Sequence, residues 1–251
     1  MTSNNSIRVE RHGFATLHLC DAVQAEEVLT ALSEPGESIK NGDKRIVRRV
    51  GNWTIKSTRT NMGIGPLKMT ANRARYRNGW KSSLEMMRLG LRVPKTVAYV
   101  EFGMLGVIWG NALVYEYLDG CLPAPQFLKG LKQEEDSAAV EAFFQHLGEA
   151  VVGLAEANVF HRDLKLDNVL TQDGETFFFI DLDEAHIGKT FQPEHRMRNH
   201  IQMANGLSRI WQRPDIDAFL KSTTPEGEDT EDWVKRVWKG IEIQRGTRDI
   251  S

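Results

Sequence analysis

The sequence predicts an α+β protein of two lobes: a small antiparallel-sheet lobe with one helix, followed by a mainly helical lobe. Short apolar runs separated by turn residues crowd the first half of the chain, whereas a 3.6-residue apolar period dominates after about residue 137. The strand–helix alternation of a doubly wound parallel sheet is absent. A length of 251 residues suits one large domain or two small lobes. The expected boundaries are an N-terminal extension over 1–34, a first lobe over 35–118 and a second over 119–251.

From Ser38 to Thr58, Ile39, Ile46, Val47, Val50, Trp53 and Ile55 recur at short intervals between the turn signals Asn41-Gly42-Asp43 and Gly51-Asn52, which predicts three short antiparallel strands. Asn72 to Leu89 lacks proline and sets Ala74, Trp80, Leu84 and Met87 on one stripe, a helix stopped by Gly90. Val93 to Val100 reads as extended. Leu105–Ile108 and Ala112–Tyr117 read as two strands joined by a Gly110-Asn111 hairpin turn. Leu122-Pro123-Ala124-Pro125 has the composition of a linker between lobes. Val140, Phe143, Phe144, Leu147, Val151 and Leu154 predict a core helix over about Ser137–Ala157. Val169-Leu170 and Phe177–Ile180, divided by Asp173-Gly174, predict a hairpin. From about Glu194 the chain reads as mostly helical, with a loop over Ser222–Asp229.

With 41% hydrophobic and 26% charged residues the chain has the composition of a folded soluble domain rather than of a disordered one. Cys20 and Cys121 stand about a hundred residues apart with no CxxC or Cys/His cluster, which excludes a disulfide framework or zinc site and fits a reducing, cytoplasmic compartment. The first twenty residues include Arg8, Glu10, Arg11 and His12 and no apolar core, so no secretory signal is expected. No apolar run approaches the roughly 18 residues of a membrane span, and any membrane contact is expected to be peripheral.

The strongest chemical signal is Phe160-His161-Arg162-Asp163-Leu164-Lys165-Leu166-Asp167-Asn168-Val169-Leu170, which satisfies the H-R-D-L-x-x-x-N pattern of kinase catalytic loops. Asp181 follows in Phe179-Ile180-Asp181-Leu182-Asp183. Phosphoryl transfer needs few protein groups: a carboxylate to take the proton of the attacking hydroxyl, and an amide oxygen and second carboxylate to hold Mg²⁺ against the phosphates. Asp163, Asn168 and Asp181 supply these in order, with Asp183 as a further metal-ligand candidate and Lys165 suited to neutralising the transferring group. Any one of them alone would more often be a turn residue or a helix cap; together, just before a hairpin, they point to ATP chemistry. Trp53-Thr54-Ile55-Lys56 has the form of the strand that carries a phosphate-pairing lysine. Gly42, in Asn41-Gly42-Asp43-Lys44, is a candidate for the nucleotide-covering loop, although one glycine stands where three are usual. Glu116-Tyr117-Leu118 ends a strand where a kinase hinge offers backbone groups to adenine. His161 reads as a scaffold of the loop, since Asp163 already supplies the base.

Asn72-Arg73-Ala74-Arg75-Tyr76-Arg77-Asn78-Gly79-Trp80, then Leu89-Gly90-Leu91-Arg92-Val93-Pro94, and Ile180-Asp181-Leu182-Asp183 in place of Asp-Phe-Gly, resemble the bacterial lipopolysaccharide kinase family, which includes Kdo and heptose kinases. The likeness covers about residues 35–220. It implies a protein-kinase-like fold that phosphorylates a sugar of the lipopolysaccharide inner core at the cytoplasmic face of the inner membrane. In two places the chain departs from kinase patterns. The helix expected to give Lys56 a glutamate carries Arg73, Arg75 and Arg77, leaving Glu85 as its only acid, so either Glu85 serves or the lysine is held otherwise. No Ala-Pro-Glu or long activation segment follows Asp183, which favours a small or lipid-linked acceptor. A Ser/Thr protein kinase, to which Asp163-Leu164-Lys165 is also suited, and a pseudokinase acting as a nucleotide-binding regulatory module are the competing readings.

The net charge of -2 hides an asymmetry. Lys40 to Lys95 holds fifteen Lys and Arg against Asp43 and Glu85, a local +13 that leaves -15 for the rest. Arg73, Arg75, Arg77, Lys81, Arg88 and Arg92 lie on or beside one helix with hardly an acid to pair with, which predicts unrelieved repulsion and an anionic counterpart. An anionic membrane surface and phosphorylated core sugars both fit that role. Nucleic acid does not, for want of a binding motif.

Overall fold

The computed structural model describes residues 7–20, 23–42, 45–60, 64–188 and 191–246. They form two structural units, one from residues 1–88 and 94–119 and the other from 89–93 and 120–251.

The first unit contains β1 (Arg8–His12), β2 (Ala15–Leu19), α1 (Ala25–Ser33), β3 (Glu37–Asn41), β4 (Arg45–Val50), β5 (Trp53–Arg59), α2 (Gly65–Ala71), α3 (Arg73–Arg88), β6 (Thr96–Met104) and β7 (Val107–Glu116). Its seven strands make one sheet in the order β1-β2-β6-β7-β5-β4-β3, antiparallel throughout. Side chains alternate between the two faces of a strand, and on β6 both sets are buried. Ala98 and Val100 join Leu17, Leu19, Val28, Ala31, Ile55 and Val114 in one core cluster that takes in α1. Tyr99, on the opposite face, packs with Trp80 of α3, their ring centroids 6.3 Å apart. Covering both faces makes β6 a nearly continuous apolar run, with Glu101 as its one charged residue.

The second unit contains β8 (Leu122–Pro123), α4 (Ala124–Glu134), α5 (Ser137–Glu156), β9 (Val159–Phe160), β10 (Val169–Thr171), β11 (Phe177–Phe179), β12 (His186–Ile187), α6 (Pro193–Leu207), α7 (Arg213–Ser222) and α8 (Thr230–Gly246). Asp136 caps α5 by accepting from the Ala139 N–H at 2.9 Å. The helix then buries Phe143, Phe144, Leu147, Val151 and Leu154, the stripe that its periodicity predicts. Phe143 meets Phe127, Phe144 and Phe177 edge-on or stacked. The β10–β11 hairpin turns at Gly174, whose φ of +77° and position 2.7 Å, as a Cβ, from the Phe127 ring leave room only for glycine.

Several expectations are corrected by this architecture. Gly110 and Asn111 do not turn: β7 runs unbroken from Val107 to Glu116, with Gly110 opposite Phe102 and Arg59. The glycine is there because a Cβ would come within 3.3 Å of the Phe102 ring. The hairpin turn is Leu105-Gly106 instead, with φ of +50° and +84°. Leu122–Pro125 is no bare linker either. Leu122 and Pro123 pair with Thr171 and Leu170, and Pro125 sits in the first turn of α4, where a missing N–H costs nothing. The segment before residue 35 carries β1, β2 and α1, which belong to the sheet unit.

Candidate active site

The catalytic-loop sequence lies between β9 and β10, in the second unit. After Phe160 the chain folds on itself through local bonds: Leu164 N–H to His161 O (3.0 Å), Lys165 N–H to Asp163 O (2.8 Å) and Asn168 N–H to Lys165 O (2.8 Å). The Asn168 amide nitrogen donates to Asp163 O at 2.8 Å and to Asp163 Oδ2 at 3.2 Å. Both partners are acceptors, so the nitrogen is identified and the amide oxygen is held on the other side. Lys165 Nζ lies 3.0 Å from Asp163 Oδ2, with both side chains about half exposed. Asp163, Lys165 and Asn168 are thus brought together on one loop, two of them within reach of one carboxylate oxygen.

The Asp181 segment is tied to this loop from the other side. Ile180 N–H donates to Asn168 O (3.0 Å), and His161 Nε2 donates to Ile180 O (2.8 Å). A carbonyl only accepts, which fixes the proton on Nε2. Burial holds His161 below its usual pKa, and the imidazole is a neutral strut. Asp181 itself has φ +62°, ψ +52°, a left-handed conformation that aspartate tolerates better than most residues. It opens the turn Leu182–Glu184, in which Asp183 is buried. His186 pairs with Phe160, and Glu184 Oε2 lies 3.6 Å from Arg162 Nε, closing the brace.

In the first unit Lys56 lies at the middle of β5, opposite Val47 on β4 and Leu113 on β7. Gly42 donates its N–H to Arg45 O at 3.0 Å in the β3–β4 turn; Asp43 and Lys44 lie outside the described residues. Glu116 N–H bonds Lys95 O, and Tyr117 N–H bonds Asn52 O, both at 2.8 Å, so these two donors of the expected hinge are held by the sheet. Leu118 follows, half-buried. Glu85 is bonded twice by Arg88, at 2.6 and 2.8 Å, and that contact lowers its pKa.

The expectation of unrelieved repulsion along α3 is overturned. Arg73 and Arg77 both clasp Glu101 of β6, at 2.6 to 3.2 Å, and Arg88 holds Glu85. Glu101 is 3% exposed. Burial alone would raise its pKa, but hydrogen bonds from Arg73 and Arg77 outweigh this and bring it down to about 2. The arginines are the means by which the helix is fastened to the sheet. A lone acid in an apolar strand, with an arginine-rich helix nearby in sequence, was the signal for this pair. Gln202 of α6 is a second residue that pattern reading missed: its amide accepts from Leu164 N–H at 3.1 Å and donates to Arg162 O at 2.6 Å, clamping the loop. Nothing local in the sequence marks it.

A model of the lipopolysaccharide kinase (Kdo/WaaP) family matches residues 55–238. A serine/threonine-protein kinase of Schizosaccharomyces pombe, ppk25, is 30% identical over 152 residues, 53% of this chain; the match spans about a third (35%) of the length of that relative. Among solved structures, WaaP in complex with acyl carrier protein aligns with a TM-score of 0.61 and 17% identity over 85% of this chain and 92% of that one. A 2.2 Å crystal structure of WbdD aligns at 0.52 and 15%, over 81% of this chain and 45% of that one. At these identities the structural likeness concerns the fold alone.

Proposed function

The chain belongs to the lipopolysaccharide kinase (Kdo/WaaP) family, and from that premise we propose that it transfers the γ-phosphoryl group of ATP to a hydroxyl of a lipopolysaccharide inner-core sugar. That it is a kinase follows from membership; the acceptor, the nucleotide and the residue roles are the proposal. Asp163 takes the proton as the acceptor oxygen bonds to the γ-phosphorus and the bond to the β–γ bridging oxygen breaks, leaving ADP. Lys165 offsets negative charge on the group in transit.

Asn168, through its amide oxygen, and Asp181 would hold Mg²⁺, with Asp183 beside them. Their all-oxygen chemistry suits a hard cation. Among the described residues no cluster of three or more His, Cys, Asp or Glu that could hold a metal ion is found. When bound, the ion supplies neutralisation of phosphate charge. Lys56 would pair with the phosphates, Gly42 cover them, and Leu118 and the Glu116 carbonyl offer backbone to the base. Glu85, already engaged with Arg88, would have to exchange partners to serve Lys56.

The observation that carries this reading is the pair of bonds from the Asn168 amide to Asp163 O and Oδ2. They tie the proposed base and the proposed metal ligand to one another, and in-line transfer depends on such positioning. Among the described residues no helix is long and apolar enough to cross a membrane. The match to a protein kinase favours protein acceptors as a second reading. Structural likeness to WaaP, studied with acyl carrier protein, adds a protein partner worth testing.

Purified chain with Mg²⁺ and labelled ATP, offered core saccharides, a generic protein substrate and acyl carrier protein in parallel, discriminates these. Label in the saccharide alone is the expected result; label in protein alone would replace the sugar by a protein acceptor.

A further inference from the structure

One end of the seven-stranded sheet gathers exposed apolar side chains from three separate segments. Leu105, at the β6–β7 turn, is 93% exposed, and Met104 and Val107 flank it. Phe14, 59% exposed in the β1–β2 turn, is brought alongside by the bond from Gly103 N–H to Phe14 O at 2.9 Å. Ile64, which caps α2, and Leu67 within it are 66% and 64% exposed, and α2 is fastened there by the bond from Ile108 N–H to Thr70 Oγ1 at 2.9 Å. Single exposed apolar residues need no explanation, but six converging on one sheet end do.

Leu105 is the most informative of them. The two-residue turn has positive φ at both positions, the pattern that favours Asn-Gly or Asp-Gly. A bulky leucine at φ +50° is strained, and its exposure gives no burial in return. Cations stand next to these segments along the chain and in register: Lys68 follows Leu67 on α2, Arg59 ends β5 opposite Gly110, and Arg11 lies on β1 shortly before the Phe14 turn. The one acid on β6, Glu101, is buried against Arg73 and Arg77.

We infer that this end of the sheet inserts into a bilayer, its apolar side chains entering the acyl boundary while Arg11, Arg59 and Lys68 meet anionic headgroups. Apolar tips with cations next to them along the chain and in register fit a lipid surface. The inference rests on the proposed lipid-linked acceptor and locates the surface through which the enzyme reaches it. Gly42, in the turn proposed to cover the nucleotide, stands at this same end of the sheet.

The test is co-sedimentation of the full chain with phosphatidylethanolamine–phosphatidylglycerol vesicles and with phosphatidylcholine vesicles, at low and high salt. The wild type should bind the anionic vesicles more tightly and retain part of that binding at high salt. A Leu67→Glu/Leu105→Glu double variant should lose at least about tenfold in partitioning, as expected for two leucines withdrawn from hydrocarbon. Leu105→Asn should weaken binding while raising the thermal midpoint, an opposition that a merely structural leucine would not give. Phosphorylation of a water-soluble, deacylated core saccharide should be the same in all variants. Vesicle binding indifferent to both substitutions would overturn the inference, as would lipid-free self-association that the double variant abolishes, since a second copy would then cover the patch. If the wild type labels no saccharide, the proposed acceptor fails, and the sedimentation result still decides docking on its own.

Discussion

At the scale of single residues, Asp181 and Asp183 stand two apart but in different surroundings. Asp181 sits at the left-handed opening of its turn, next to the Ile180 peptide that is bonded to both Asn168 and His161, whereas Asp183 is buried one step further on. The proposed metal role belongs to Asp181, because its backbone is the better fixed to Asn168. Calorimetry of Mg-ATP binding separates them. Asp181→Ala should weaken Mg-ATP affinity by tenfold or more, and Asp183→Ala by much less; the reverse order would exchange their roles. The proximity of Asp163, Lys165 and Asn168 on one loop was legible in the sequence because they are close along the chain. Gln202 was not, since a glutamine forty residues away that clamps two loop peptides looks like any other residue of a polar helix face.

At the scale of elements, α3 is held by a buried carboxylate on the strand and two arginines on the helix. Glu101→Gln keeps the shape but leaves Arg73 and Arg77 facing a neutral amide, and should cost about 2–3 kcal/mol at neutral pH, measured by urea unfolding. The sign follows from the depressed pKa. Folded Glu101 stays ionised down to about 2 against an ordinary 4.5, so its stabilisation is present above pH 4.5 and lost as pH falls toward 2. The mutant should lack that part of the acid dependence, and an unchanged profile would mean that the pair contributes nothing net. Helices such as α3 and α5 and the β3–β4–β5 strands were legible from period and turn residues. The true hairpin was hidden because its turn is Leu-Gly, whereas Gly110-Asn111, a turn by composition, serves close packing under Phe102. Short elements such as β1, β2 and α4 owe their form to neighbours and carry weak local signals.

At the scale of the whole molecule, acid stability should be set by buried histidines before the carboxylates titrate. Burial lowers His200 to about 4; its Nδ1–H donates to Arg196 O at 2.9 Å, and its ring meets Trp233 and Phe219. Unfolded chains take up this proton below about 6.5 and the native state does not until about 4, so stability declines on acidification through that window, by about 3 kcal/mol from this residue. His200→Phe should flatten the slope between pH 6.5 and 4 in thermal melts; a slope as steep as the parent's would assign the effect elsewhere. The family and the fold class were readable because the catalytic loop, its spacing to Asp181 and the order of strand-rich and helix-rich halves all belong to one pattern. Paired turnover and ATP-affinity measurements on the wild type and Asp163→Asn decide whether the loop acts as a phosphotransfer site with Asp163 as base. Turnover of the variant on the wild-type acceptor should fall by about 10²-fold or more with ATP affinity unaltered; a variant that turns over at the wild-type rate would contradict the assignment.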